Sequence, residues 1–394
     1  MLQRFLFFLL RHYYGNGNKK RNDNAARGWT DDPGRVEEQV ILDGLEKVLR
    51  PSHLTAEEAS AAMEEILSGQ ATPTQMCALL VALAMKGETE DELWGMARVL
   101  RGKTYLFSQY GPVEVGLCNS ERRLLQRETP AVGLRPENAE PAATFNISTA
   151  VAFVVAGAGI RVLQQGHRSA GNELESAGVL EALGINTRIH PAKIARCVAE
   201  AGLGFVFEPV ISEAMERLLF AFREIPIPTA FQLLLPLLNP GGAPALVVGI
   251  HSAAMIETVA RVAARMGVRR AFVLHGSDGL DEITNTGATA VAELNDGKTY
   301  CYRIEPADLG FPRVCLEDLA GGDALVCAEQ ILAVLGGEPG PRRQVVLLNA
   351  APGIFCGRIA QNLTEGIRVA EQAIDSGRAL RVLNNLAQLT LQSP

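Results

Sequence analysis

The sequence predicts an α/β protein: a small N-terminal helical domain followed by a large α/β domain with a central, mostly parallel sheet. Helix-start signals dominate the chain before residue 104, where Thr55 with Glu58 and Thr89 with Glu92 have capping-box spacing. From residue 144 onward, apolar runs of strand length alternate with helix-length segments, the pattern of a sheet with helices on both faces. A length of 394 residues gives about two domains at roughly 100–200 residues each.

Taken in order, residues 1–30 read as a disordered tail, an extended start or an organelle-targeting presequence. The apolar run Phe5–Leu10 is too short to span a bilayer and is flanked by Arg4, Arg11, Lys19, Lys20 and Arg21. Residues 36–103 read as a four-helix unit. Val36–Leu49 has apolar residues at helical period, two helices start at the capping boxes, and Thr72-Pro73 starts a third that ends at Gly87. Residues 104–143 show no sustained period and read as a linker or irregular loop. Residues 144–394 form the α/β domain.

Within it, Val151–Ala158 is apolar all round and predicts a buried helix, and Ile160–Leu163 a short strand. Ser176–Leu183 and Pro191–Ala201 predict helices ending at Gly184 and Gly202, with a strand at Phe205–Phe207. Ala245–Ile250 is a strand leading into a helix at Ala253–Met266, and Arg270–Leu274 another strand. Val291–Leu294 and Thr299–Ile304 flank Asn295-Asp296-Gly297 as a hairpin. The apolar run Val345–Leu348 and the helices after it close the chain.

Composition narrows the function. Hydrophobic residues at 47% and charged residues at 21% exclude disordered, collagen-like and multi-span membrane classes. Lys plus Arg total 37 against 44 acids, so no nucleic-acid partner is expected and the ligand is small. The seven cysteines include no C-x-x-C pair, and the histidines have no H-x-x-x-H spacing. That fits a reducing, cytoplasmic compartment and gives no metal cluster.

Chemistry concentrates in three motifs. Thr144–Thr149 puts hydroxyls at a helix start, which is an anion site or an ordinary N-cap. Gln164–Gly171 follows a strand and carries Gly166, Arg168 and Ser169, a phosphate loop or a surface turn. Asp281-Glu282 follows the strand ending at Leu274 and could hold Mg²⁺ or simply be solvated. All three lie at strand ends or helix starts, where the loops of an α/β sheet converge on one rim.

Thr144–Thr149, Gly166-x-Arg168-Ser169, Val179–Gly184, Asn239-Pro240, Gly279–Glu282 and Leu348–Ala350 together resemble the anthranilate phosphoribosyltransferase family (glycosyltransferase family 3, nucleoside phosphorylase-like). The similarity covers about residues 36–390. The resemblance implies a homodimer that transfers phosphoribose from phosphoribosyl diphosphate to the amine of anthranilate, an aromatic amine, in tryptophan biosynthesis. It implies Mg²⁺ as cofactor, neutralising the leaving diphosphate. It also implies substrate contacts from Thr144, Asn146, Ser148, Thr149, Gly166, His167, Arg168, Ser169, Ser176 and Arg223, with Ser148 on one Mg²⁺ and Asp281 and Glu282 on a second. No residue is assigned covalent chemistry.

The chain departs from the family pattern at both substrate pockets. The G-T-G-G-D loop is replaced by Pro136–Glu140, the lysine before H-G-N-R-S by Gln164, and the asparagine of that motif by His167. S-S-K becomes Gly171-Asn172-Glu173, the anthranilate-clamping arginine aligns with Phe222, one position before Arg223, and a His-Pro pair becomes Ser212-Glu213. These changes predict impaired or altered activity. They leave two alternatives: a non-catalytic paralogue acting as a binding or interaction protein, and a transferase for another aromatic amine or a nucleobase.

Overall fold

The computed structural model describes residues 40–50, 52–104, 113–119, 144–166, 176–207, 218 and 227–392. The readings of residues 1–30, Pro136–Glu140, His167–Glu173, Ser212-Glu213, Phe222 and Arg223 lie outside the described residues.

Among the described residues four helices come first: α1 (Val40–Leu49), α2 (Ala56–Ser68), α3 (Pro73–Lys86) and α4 (Glu90–Lys103). Thr55, Thr72 and Thr89 cap α2, α3 and α4. Each hydroxyl accepts an amide three residues on, and Glu58, Gln75 or Glu92 returns a bond to the cap. Gly95 lets α2 and α4 touch, because a Cβ there would lie 2.3 Å from Ala56 O. Glu92 is fully buried; it accepts from Leu54 N at 2.9 Å and pairs with Lys86 at 2.8 Å. Burial opposes its charge, but Lys86 and the amides of Leu54 and Thr89 outweigh that and hold its carboxyl below the usual range.

The sheet has seven strands: β1 (Val115–Asn119), β2 (Val162–Gly166), β3 (Leu203–Phe207), β4 (Ala245–Gly249), β5 (Arg270–Gly276), β6 (Thr289–Asn295) and β7 (Lys298–Ile304). Their order is β3-β2-β1-β4-β5-β6-β7. The first five run parallel and the β6–β7 hairpin adds two antiparallel strands at one edge. Among the described residues the helices after β1 include α5 (Ile147–Gly157), α6 (Ser176–Ala182), α7 (Pro191–Ala201), α8 (Ala230–Leu234), α9 (Ile256–Arg265), α10 (Ala324–Leu335), α11 (Pro341–Cys356), α12 (Leu363–Asp375) and α13 (Arg378–Leu391).

Each sheet face has its own core. Ala245 and Val247 of β4 face α5 and α11, whereas Leu246 and Val248 face α9 and the N-terminal helices. Burial on both faces explains why these strands read as continuous apolar runs. Helix α9 packs on β5 and also on α4, with Arg265 pairing with Asp91 at 2.7 Å and lying 5.1 Å from the Trp94 ring centroid.

Two expectations need correction. Val115–Asn119, inside the stretch read as a linker, is the central strand β1. It is short, and Gly116 interrupts its apolar pattern; the glycine is needed because Asn239 Nδ2 and Leu246 Cδ2 lie 2.7 Å from where a Cβ would be. Gln164, Gln165 and Gly166 are the last residues of β2 and not loop, so the strand outruns its apolar portion. The apolar run Val345–Leu348 lies inside α11, where all-round burial removes helical periodicity. Among the described residues no helix is long and apolar enough to cross a membrane.

Candidate functional site

In the strand order, β1 has its successors β2 and β3 on one side and β4 and β5 on the other. The sheet's switch point therefore lies between β1 and β4, and the crevice beyond their carboxyl ends is where an open α/β sheet binds ligands. Asn119 ends β1 and stands in register with Gly249, which ends β4.

The acidic loop is seated at this point. A Cβ on Gly249 would lie 1.6 Å from Asp281 O and 2.9 Å from Asp281 Cβ. Only glycine lets the backbone of Asp281 rest on the end of β4. Asp281 is partly buried and Glu282 is buried. The loop is built around Asp278, whose Oδ1 accepts from Leu280 N at 3.1 Å. Its Oδ2 accepts from the hydroxyls of Thr284 at 2.5 Å and Thr286 at 2.6 Å. Gly276 N donates to Leu280 O at 2.7 Å and closes the turn. Asp281 and Glu282 follow directly on this turn, so two adjacent carboxylate residues stand in the chain at the carboxyl end of β4.

The hydroxyl motif forms the start of α5. Thr144 bridges to Ala320, and Phe145 N donates to Leu319 O at 3.1 Å, which fixes the approach to the helix. Asn146 then adopts left-handed backbone, φ 67° and ψ 55°, conformations that asparagine tolerates better than most residues. Its side chain makes no capping bond to α5. Instead Asn146 Oδ1 accepts from Thr149 Oγ1 at 3.0 Å and from Ser176 Oγ at 3.1 Å. Thr149 N donates to Asn146 O at 3.1 Å, while the Ile147 and Ser148 amides are not closed off by the Asn146 side chain, an arrangement that suits an anion. Ser148 is partly exposed, while Thr144, Asn146 and Thr149 are buried.

The structure thus ties Asn146, Thr149 and Ser176 into one hydrogen-bonded group, although Ser176 starts α6. Gly166 ends β2, and a Cβ there would lie 2.7 Å from Phe207 Cε1. Ring packing alone requires a glycine there. His167, Arg168, Ser169 and Arg223 lie outside the described residues. Gln164 is 5% exposed, with its Nε2 3.4 Å from Gln165 O. Among the described residues no donor reaches Gln164 Oε1 or Gln165 Oε1. A neutral amide therefore occupies a buried position towards the carboxyl end of β2.

Sequence reasoning missed two residues that shape the site. Gly249 gives no signal of its own at the end of an apolar strand. Asn349 was visible only as part of a resembling motif, yet it is a buried amide within the otherwise apolar stretch Val345–Cys356 of α11, and such a group requires partners. Its Oδ1 accepts from Ile283 N at 2.7 Å, and its Nδ2 donates to Ile283 O at 2.7 Å and to Val345 O at 2.9 Å.

Comparison with known proteins agrees with this architecture. Residues 140–380 match the family described as "Glycosyl transferase family, a/b domain", and residues 42–104 match "Glycosyl transferase family, helical bundle domain". The anthranilate phosphoribosyltransferase of Moorella thermoacetica is 44% identical over 335 residues, covering 85% of this chain and 94% of that protein. That of Syntrophotalea carbinolica is 42% identical over 356 residues, covering 89% and 99%. The crystal structure of anthranilate phosphoribosyltransferase from Thermus thermophilus superposes with a TM-score of 0.76 at 30% identity, covering 89% of this chain and 100% of that one. The Saccharomyces cerevisiae enzyme in complex with phosphoribosyl diphosphate and Mg shares the fold at 22% identity and a TM-score of 0.73, covering 90% and 98%. The α/β match spans more than half of the chain and the relatives align along nearly their whole length, so the chain belongs to the anthranilate phosphoribosyltransferase family of glycosyl transferases.

Proposed function

We propose that this protein transfers the phosphoribosyl group of phosphoribosyl diphosphate to the amine of anthranilate, releasing diphosphate, as a step of tryptophan biosynthesis. The observation that carries this reading is the seating of Asp281 on Gly249 at the β1–β4 switch point. The named relatives support anthranilate as acceptor, and the yeast complex supports Mg²⁺. Their bacterial sources support a cytoplasmic enzyme, and the family resemblance supports a homodimer.

The donor set fits Mg²⁺. Among the described residues no cluster of three or more His, Cys, Asp or Glu side chains forms a protein cage. Mg²⁺ is commonly held by one or two carboxylates, with phosphate oxygens and water completing its shell. Asp281 and Glu282 would supply those carboxylates, and Ser148 a hydroxyl to a second ion. When bound, the ion neutralises charge on the departing diphosphate.

The chain's own residues bind and orient. In this reading the Ile147 and Ser148 amides at the start of α5 serve phosphate oxygens, and Asn146 fixes the Thr149 and Ser176 hydroxyls beside them. Thr144, Gly166, His167, Arg168, Ser169 and Arg223 complete the substrate contacts in this reading. The amine nitrogen forms a bond to ribose C1 while the C1–oxygen bond to diphosphate breaks. Its electron pair leaves on diphosphate, and the amine gives up a proton to water. Positioning and charge stabilisation carry the rate without a covalent enzyme intermediate.

The buried Gln164 favours a second reading, in which the acceptor pocket has changed or the protein only binds. Initial rates with anthranilate, phosphoribosyl diphosphate and Mg²⁺, together with complementation of a tryptophan auxotroph, test the first reading. Phosphoribosyl diphosphate binding without turnover of anthranilate, another aromatic amine or a nucleobase would replace it with the non-catalytic one.

A further inference from the structure

Asp281 and Glu282 can serve a metal only if their backbone holds still, and the chain after them is gripped from outside the loop. Asn349 uses both ends of its amide on one residue: its oxygen takes the N–H of Ile283 and its nitrogen gives to the C=O of Ile283, each at 2.7 Å. A third bond, to Val345 O at 2.9 Å, locks the amide onto its own helix. This bracket copies a pair of strand bonds with one side chain, and it acts on the residue directly after Glu282.

Helix α11 also reaches the other half of the site. Arg342 lies seven residues before Asn349, two helical turns and about 10 Å along one face. Its guanidinium stands 5.9 Å from the Phe145 ring centroid and donates to Ala320 O at 3.3 Å, the residue that bridges Thr144. Pro341 O accepts from Asn285 Nδ2 at 3.1 Å. Gly353 packs against Val155 of α5, with a Cβ position only 3.0 Å from Val155 Cγ2. One helix thus contacts both the start of α5 and the acidic loop.

We propose that Asn349 is a positioning residue for the metal-binding carboxylates: its amide brackets Ile283 and sets Asp281 and Glu282 against the phosphate-binding start of α5. The proposal rests on the reading of Asp281 and Glu282 as Mg²⁺ ligands. Asn349 touches neither substrate nor metal. Partners that orient metal ligands change metal affinity by about 10–100-fold when removed.

The test uses the full chain with Asn349→Ala, Asn349→Leu and Asp281→Asn. The leucine variant keeps the side-chain volume in α11 and serves if the alanine variant folds poorly. Mg²⁺ affinity is measured by calorimetry in the presence of phosphoribosyl diphosphate, and protection of the Ile283 amide by hydrogen exchange in its absence. The Asn349 variants are expected to lose about 10-fold or more in Mg²⁺ affinity, to recover kcat at saturating Mg²⁺, and to keep the parent KM for anthranilate. The Ile283 amide should exchange faster while the β4 and β5 amides do not. Unchanged Mg²⁺ affinity in a folded Asn349 variant, or a kcat loss that Mg²⁺ does not restore, overturns the positioning role. Unchanged Mg²⁺ affinity in Asp281→Asn overturns the ligand assignment instead, so the two failures are distinct.

Discussion

Replacing Gly249 by alanine should separate catalysis from folding. The added Cβ would stand 1.6 Å from Asp281 O and 2.5 Å from its carbonyl carbon, where ordinary contact begins near 3.4 Å. Both atoms belong to backbone, so no rotamer change relieves the clash, and the acidic loop must retreat by more than 1 Å. A displacement of that order at a catalytic group costs about 10²-fold in rate. The loop sits at the sheet's rim, so the expected stability loss is modest, about 1–3 kcal/mol as for other overpacked sites. Gly116→Ala is the control: its Cβ would meet Asn239 and Leu246 at 2.7 Å inside the sheet layer, so it should lower Tm without raising the Mg²⁺ requirement. The assay is kcat/KM for anthranilate over a Mg²⁺ series, with thermal melts. A Gly249→Ala enzyme within about 3-fold of the parent at every Mg²⁺ concentration would refute the claim that this glycine seats the carboxylates.

Other outcomes follow from the same geometry. Chelation with EDTA should abolish turnover and added Mg²⁺ should restore it; activity that survives chelation would argue against a metal role for Asp281 and Glu282. Lys86→Met leaves Glu92 charged and buried, so denaturant melts at pH 7 should show a loss of about 3–5 kcal/mol. Because the folded Glu92 carboxyl is held low, its contribution is present above the unfolded value of about 4.3 and fades as pH falls below it. The Lys86→Met penalty should therefore shrink near pH 3, and an equal penalty at both pH values would count against the ion pair. Asn146→Ala should raise the KM for phosphoribosyl diphosphate and cost about 1–2 kcal/mol from left-handed backbone, whereas Asn146→Gly should raise KM without that backbone cost. Gln164→Lys should lower the Tm of the ligand-free protein by burying an ammonium, and phosphoribosyl diphosphate should recover more Tm than in the parent; equal recovery would show that position 164 does not face the phosphate.

Much of the architecture was legible because local chemistry wrote it. Thr55, Thr72 and Thr89 sit where capping geometry needs them, and the Asn295-Asp296-Gly297 hairpin pairs as its turn residues suggest. Strand β1 was not legible, since its identity comes from two neighbours far away in sequence and its Gly116 answers a contact from Asn239. At the site, Asn146, Thr149, Asp281 and Glu282 were readable as chemical groups. The bond between Asn146 and Ser176 was not, because it joins the starts of two helices that follow different strands. Gly249 and Asn349 escaped for a related reason: each acts on the backbone of a distant loop, and a single sequence records no such pairing.

The placement of β1 also bears on the order in which a growing chain can fold. The helices through α4 are synthesised first and can begin to pack, but α4 meets α9 only after β4 has been made. β1 emerges early, yet Val115 must wait for Val162 on one side and for Ala245 on the other. Contacts this distant in sequence slow assembly and leave apolar strands uncovered while they wait. Helix α11 is later still, so all seven strands are synthesised before Asn349. A chain stopped between Ile304 and Asn349 would carry every strand of its sheet and still lack the amide that brackets Ile283.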